Sequence, residues 1–364
     1  MIVTNVLAGL AGVALVAWAL LSALKTVVLP RSESSILVRG LFIQLRRAFN
    51  VVAGPKRSFA FRDRVLAYYA PLGLLLMPIM WVVMVLLGFA GIYWATGSRP
   101  WNEPLIVSGS SLLTLGFDRP SHNHQVVFVF IEAAVGLGII SLVISYLPSI
   151  YAAFNRRETL VGLLEVRAGL PPSPTELLVR YARIGYLDQI SPELFAPWEQ
   201  WFADIEESHT NQSSLVFLRS PNPGRSWITA AGCVLDTAAI TNAVIAKPHD
   251  ARADLMLRTG FFCLRRISDY FGFAYDPDPR PTDPISVSRR EFDLLLVELQ
   301  AAGVPLKPDH DQAWRDYAGW RVNYDEVLIS LCALVVAPPA KWSSDRLVGD
   351  RSLPRIRRRT TPRG

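Results

Sequence analysis

The sequence predicts an all-α membrane protein with three transmembrane helices. A short re-entrant helix and loop lie between the second and third, and a mostly α-helical cytoplasmic domain follows. Three observations predict this. Three stretches are apolar over about 20 residues or more, the length a helix needs to cross a bilayer. Basic residues crowd one connection and avoid the next. The second and third stretches are joined by Gly97 to His124, 28 residues where a hairpin turn needs only a few.

Composition agrees with this class. Only 19% of the 364 residues are charged and 51% are hydrophobic, whereas a soluble domain is about one-quarter charged. The formal charge of +6 therefore matters through its placement. Cys233, Cys263 and Cys332 lie far apart with no CxxC. That spacing argues against a disulfide framework or a zinc site and suits a reducing compartment.

Residues 1–29 form the first element. Met1 to Leu24 carry no charge, and the apolar run continues past Lys25 to Leu29. A cleaved signal peptide would need a basic n-region, which Met-Ile-Val-Thr-Asn does not supply. Residues 30–64 follow as a basic loop, with Arg31, Arg39, Arg46, Arg47, Lys56, Arg57, Arg62 and Arg64 against Glu33 and Asp63. The connection from Gly97 to His124 has only Arg99 and Arg119, and Arg156, Arg157 and Arg167 follow the third stretch. Positive charge stays inside, so the first loop and the C-terminal region face the cytoplasm and the N-terminus lies outside. Within the loop, Arg39, Arg46 and Arg47 share one face of "ILVRGLFIQLRRAFNVV". This reads as an interfacial helix on anionic lipid. An ordinary cytoplasmic helix packed on the soluble domain stays open as the alternative.

Residues 65–154 hold the second and third spans. Val65 to Ser98 are free of charge. Tyr68 and Tyr69 are about 25 residues from Tyr93 and Trp94, roughly 38 Å along a helix, which places the two pairs near opposite interfaces. Pro71 and Pro78 kink this helix or lay its first turn along the surface. Gln125 to Tyr151 carry a single acid, Glu132.

Between them, "WNEPLIVSGSSLLTLGF" offers Asn102 as a cap, Glu103 for the first turn and Pro104 near the start. About ten helical residues follow, enough to reach halfway into a bilayer. After Thr114 the chain returns outward in extended form. Such backbone is tolerated only where it is buried in protein or lines a water-filled cavity, most simply one between several copies of the chain.

These residues resemble the pore domain of the potassium-channel superfamily in its bacterial two-transmembrane form. Ser110, Ser111 and Thr114 match the Ser/Thr positions at the pore-helix end, and Leu115, Gly116 and Phe117 match Val-Gly-Tyr of the filter. The resemblance covers roughly Val65 to Phe154 and implies a tetrameric pore lined by Ser111, Thr114, Leu115, Gly116, Phe117 and Asp118. In such a filter, carbonyl oxygens replace the water shell of a permeant monovalent cation, here potassium first. A glycine supplies the positive φ, and the pore-helix dipole favours a cation.

The departure from the pattern is Asp118, where the family has a second glycine. Either Asp118 replaces it, or the glycine is deleted and Asp118 matches the aspartate after it. A carboxylate ring at the mouth favours cations in general, so the resemblance supports cation conduction more than potassium selectivity.

Glu132 sits two turns into the third span, where an acid is functional or paired. It either braces Ser111 or the loop near Asp118 from behind, or lies solvated at the outer interface. Gly136 and Gly138 mark a hinge by the same resemblance, and Pro148 bends or ends the helix on the gate side.

Residues 155–345 read as helices: "RRETLVGLLEVRAG" up to Gly169, "SPTELLVRYARIGYL" with Ser173 or Thr175 as cap, and five more with buried or amphipathic spacing. Asp236, in the apolar run "GCVLDTAAI", needs a partner; Arg219 or Arg225 can supply one. His209 near Glu206 and Glu207, and the Asp309-His310-Asp311 run, lack metal-ligand spacing and read as solvated surface. No metal or other cofactor is expected. Residues 346–364 form a basic tail suited to lipid head groups.

No GxGxxG after a strand, P-loop or GxSxG is present. No catalytic constellation can be named, so an enzyme is not expected. The expected partners are membrane lipid and further copies of the chain, with no nucleic acid and an unassigned cytoplasmic ligand. The expected location is the plasma membrane, as a multi-pass protein. A reading of another class stays open: a non-conducting, membrane-anchored protein whose helical domain binds a partner.

Overall fold

The computed structural model describes residues 2–29, 35–54, 56–97 and 100–347. Arg31, Glu33 and Arg99 lie outside the described residues, as does the basic tail beyond Leu347. The chain is almost entirely α-helical. In order, the helices are α1 (Ile2–Val27), α2 (Ile36–Val52), α3 (Phe59–Leu66), α4 (Tyr69–Ala95), α5 (Asn102–Leu112), α6 (Val126–Ala168) and α7 (Pro174–Arg183). They continue as α8 (Ala196–Asn211), α9 (Trp227–Val244), α10 (Ala251–Phe271), α11 (Arg289–Ala301), α12 (His310–Arg321) and α13 (Asp325–Val335). Among the described residues, β-pairing is confined to one antiparallel bridge between Ile245 and Leu306.

The chain divides into two units. The first comprises Met1–Arg57 and Val65–Ala152, the second Ser58–Arg64 and Ala153–Gly364. The segment Ser58–Arg64, read above as part of the basic loop, thus belongs to the second unit.

In the first unit α1 lies along α4 because small residues let the backbones touch. A Cβ at Gly12 would meet the Gly88 carbonyl oxygen at 2.4 Å, and one at Gly88 would meet Val16 at 2.6 Å. Such contacts drive helix association where lipid removes the hydrophobic force. Polar anchors fix the register: the Trp81 indole donates to the Ser22 hydroxyl at 3.0 Å, which is 2.7 Å from that of Ser35. Helix α2 rests on the start of α4, where Tyr69 donates to the Phe42 carbonyl at 3.1 Å. Arg46 stacks over the Tyr69 ring at 5.4 Å, while Arg39 and Arg47 are exposed.

Pro148 does not end α6, which runs through it to Ala168, and α4 likewise runs through Pro78. The aromatic pairs are not equivalent anchors. Tyr68 is exposed, but Tyr69 and Tyr93 are buried.

Four helical stretches are long and apolar enough to cross a membrane: Val3–Val27, Phe59–Ala95, Asn123–Ala168 and Trp227–Val244. The sequence reading had three. The protein is a multi-span membrane protein with an additional helical region. The fourth stretch is α9, and all of it is buried against other helices of the second unit, among them α7, α10, α12 and α13. Its apolarity is thus that of a helix at the centre of a core.

Sequence-encoded caps set the helix starts around it. Ser173 accepts from the Glu176 amide at α7, Asp250 caps α10, Ser288 and Glu291 form a capping box at α11, and Asp309 caps α12. Each satisfies an otherwise unpaired first-turn amide.

Asp236 is held by neither Arg219 nor Arg225. It lies nine residues into α9 from Trp227, about 14 Å along the axis, beyond the loop that carries those arginines. Its partner is Arg321 at the end of α12, with Nη1 at 2.7 and 2.9 Å from the two carboxylate oxygens. Tyr324 and Tyr317 also donate to it, at 2.8 and 3.2 Å. Arg321 further donates to Asp325 at 2.7 Å. Arg225 pairs instead with Glu165, and Arg219 with Asp63.

His209 is likewise not on the surface. It is buried beside Arg157, whose Nη1 is 3.2 Å from Nε2. Asp311 pairs with Arg289. Among the described residues no group of three or more His, Cys, Asp or Glu is placed to hold a metal ion. Of the basic tail, Arg346 is described and pairs with Glu291.

Candidate functional site

The loop after α5 has the amides of Leu115 to Asp118 held by hydrogen bonds. Helix α5 has 11 residues, about 16 Å. Asn102 is its first residue rather than its cap, and Trp101 in the cap position makes no side-chain bond. Glu103, in the first turn, instead accepts from the hydroxyl of Ser121.

Helix α5 is wedged between α4 and α6. Ser108 lies 2.9 Å from the Leu86 carbonyl on α4 and 2.5 Å from the Glu132 carboxylate on α6. Tyr93 donates to the other oxygen of Glu132 at 2.9 Å. Glu132 is fully buried, so its partners decide its role. They are Ser108 and Tyr93, neither Ser111 nor the loop at Asp118, and it is not solvated. Ser111 turns back to the Val107 carbonyl at 2.8 Å.

The approach of α6 depends on Gly136, where a Cβ would lie 2.1 Å from the Leu112 carbonyl oxygen. Gly138 has open space instead. Gln125 ties the start of α6 to the end of α4, donating to the Tyr93 carbonyl at 3.0 Å and to Thr96 at 2.9 Å.

Ser110 organises the loop. Its carbonyl accepts the amides of Leu115 at 2.8 Å and Gly116 at 3.4 Å. Its hydroxyl oxygen accepts those of Phe117 at 3.1 Å and Asp118 at 3.2 Å. Four successive N–H groups therefore converge on one residue. Gly116 reaches this shape at φ +68° and Thr114 at φ +56°; the former suits glycine and the latter is unusual for a β-branched residue. Asp118 does not take a positive φ. Its carboxylate accepts the Arg119 amide at 2.9 Å.

A trans peptide points its N–H and C=O in opposite directions. Each amide turned toward Ser110 thus turns the preceding carbonyl away from it: those of Thr114, Leu115, Gly116 and Phe117. Leu113, Leu115 and Phe117 are exposed in the single chain, as are Phe130, Leu137 and Ile144 on α6.

The loop from Thr114 to Asp118 is thus brought together with the end of α5. Glu132 and Gly136 act on α5, while Gly138 faces open space and Pro148 lies inside α6. The site residues that the sequence reading passed over are Ser108, Tyr93 and Gln125. Ser110 was matched to the pore-helix end but not read as the acceptor of the loop amides. The signal for the serines was present in "SGSS", since hydroxyls in an apolar helix need partners. Tyr93 resembled an ordinary interface aromatic. No family model matches this chain, and neither curated proteins nor solved structures give a match.

Proposed function

We propose that the chain is a subunit of a cation channel that conducts passively, with potassium as the first candidate ion. The observation that carries this reading is the convergence of four amides on Ser110, which leaves four successive carbonyls directed away from α5. Carbonyl oxygens in such a row replace the hydration shell of a dehydrated cation. One chain supplies only one row, so a pore needs several copies around an axis, four by the resemblance. The exposed apolar residues of the loop and of α6 are the faces that other copies and lipid would cover.

In this reading the pore residues are Ser111, Thr114, Leu115, Gly116, Phe117 and Asp118, with Glu132 and Ser110 holding them. The N-terminus lies outside, and the helical unit lies in the cytoplasm of a plasma-membrane protein. Arg39 and Arg47 on α2 meet anionic lipid. The chain carries out no catalytic step.

The test is cation flux from proteoliposomes loaded with potassium or sodium, comparing wild type with Gly116→Asp. Flux that the substitution abolishes supports a pore through this loop, and the potassium-to-sodium ratio reports its selectivity. Absence of flux for both ions, from folded oligomer in several lipids, shifts the reading to a membrane-anchored binding protein.

A further inference from the structure

The second unit contains a cleft of about 740 Å³ between parts of α7, α11 and the segment around Lys341. Small-molecule sites typically measure about 300–1,000 Å³. Leu170, Pro171, Pro172 and Val179 supply apolar wall. The charged lining is unevenly satisfied. Arg180 is closed off by Glu176 and the Val166 carbonyl. Arg183 and Lys341 line the same cleft and have neither an ion pair nor a side-chain hydrogen bond among the described residues. Glu298 is the one other acid in the lining, so the cleft keeps two unpaired cations against one unpaired carboxylate.

A second, independent feature lies at Thr175. It lines the cleft and is 8% exposed, yet its hydroxyl has no hydrogen-bond partner among the described residues. The hydroxyl is therefore free to donate to an acceptor bound in the cleft. Thr175 also stands in the first turn of α7, a ten-residue helix. There Pro174 has no N–H and the Glu176 amide is already taken by Ser173. The Thr175 amide has no partner among the described residues. Hydroxyl, helix amide and two free cations around one cleft are the donor set of a phosphate site.

We propose that this cleft binds a phosphate monoester with an apolar or planar body, the phosphate meeting Thr175, Arg183 and Lys341 and the body resting on the Leu170–Pro172 wall. A nucleoside monophosphate has this chemistry, and so does a phosphatidic acid headgroup. The chain's own tail does not, because Arg355, Arg357, Arg358 and Arg359 repel Arg183 and Lys341. Binding here is independent of conduction and is measured without ion flux.

The test uses the full chain in phosphatidylcholine nanodiscs. One arm titrates 5′-AMP by calorimetry, with inorganic phosphate as competitor. The other replaces part of the phosphatidylcholine with phosphatidic acid and reads the rise in melting temperature. The expected result is saturable binding in one arm that weakens at least about tenfold in Arg183→Gln/Lys341→Gln and severalfold in Thr175→Val. The ligand-free melting temperature of each variant should match wild type, because these side chains make no internal bonds. Saturation with AMP assigns a free ligand, and a response to phosphatidic acid alone assigns the lipid headgroup. Absence of saturable binding in both arms, or equal binding by the double variant, overturns the proposal.

Discussion

The Ser110 hydroxyl oxygen lies 3.1 Å from the amide nitrogen of Phe117 and accepts its hydrogen across seven residues of chain. With the Asp118 amide on the same oxygen, one side chain fixes the outer half of the loop. The main-chain oxygen of the same residue fixes the inner half. Loop shape therefore depends on a single position at the end of α5.

Ser110→Ala removes both side-chain bonds and leaves two amides to be satisfied elsewhere, a cost of about 1–3 kcal/mol. We expect it to lower the potassium-to-sodium flux ratio or abolish flux while helix content stays unchanged, and Ser110→Thr to retain most of the wild-type behaviour. Flux assays paired with circular dichroism check this. Wild-type flux and selectivity in Ser110→Ala would remove Ser110 from the machinery of the loop.

Arg219 binds Asp63 on α3 and also donates to the carbonyls of Val335 and Val336, at 2.6 and 3.1 Å. It fastens Ser58–Arg64, just ahead of α4, to the helical unit. Removing one partner of a largely buried pair costs about 3–5 kcal/mol. Arg219→Met should therefore release this segment, and limited trypsin digestion should cleave after Arg64 at least about tenfold faster than in wild type. An unchanged cleavage rate would show that other contacts hold α3.

Asp236 and Arg321 are both almost completely enclosed. Asp236→Ala takes one of its two carboxylates from the guanidinium, which keeps Asp325, and removes the acceptor of Tyr317 and Tyr324. Breaking the pair should cost about 3–5 kcal/mol, whereas an apolar replacement of the whole pair is often tolerated. We expect Asp236→Leu/Arg321→Met to melt closer to wild type than Asp236→Ala does. Asp325 keeps its two bonds from Ser286 in either case. Thermal denaturation of the three proteins decides the order.

The legible parts of the fold were those set by local pattern. Charge-free runs mark the spans, and Ser173 marks a helix start that a cap alone can fix. Pairings across the chain left no such mark. Nothing near Asp236 in sequence points to Arg321, 85 residues later. Nothing near His209 distinguishes a buried imidazole from a surface one beside Glu206 and Glu207. In the site, the TLGF residues were legible because glycine and hydroxyls interrupt an apolar context. The role of Glu132 was only half legible. Its position marked it as a functional or paired acid, or a solvated one; its burial and its partners depend on how α4, α5 and α6 meet. The same limit applies to α9, whose composition fits a membrane span and a buried core helix equally well.

His209 gives the clearest pH prediction. Its Nε2 faces Arg157 Nη1 at 3.2 Å, its Nδ1 faces the Ser208 hydroxyl at 3.0 Å, and the Trp227 ring is 5.2 Å away. Arginine only donates, so Nε2 accepts and the ring is neutral with its proton on Nδ1. Glu158 is the carboxylate nearby, and it is already paired with Arg157. Burial first, and then the Arg157 charge, hold the His209 imidazole well below its ordinary value. Below about pH 6.5 the unfolded chain takes up a proton here that the folded chain refuses, so stability falls as pH drops. The limiting slope is about 1.4 kcal/mol per pH unit, and above pH 7.5 this residue adds almost no pH dependence. We expect denaturation midpoints at pH 7.5, 6.5 and 5.5 to decline in wild type and to decline less in His209→Gln, which keeps an acceptor for Arg157 without a titrating ring. Equal acid sensitivity in the two proteins would place the proton uptake at some other group.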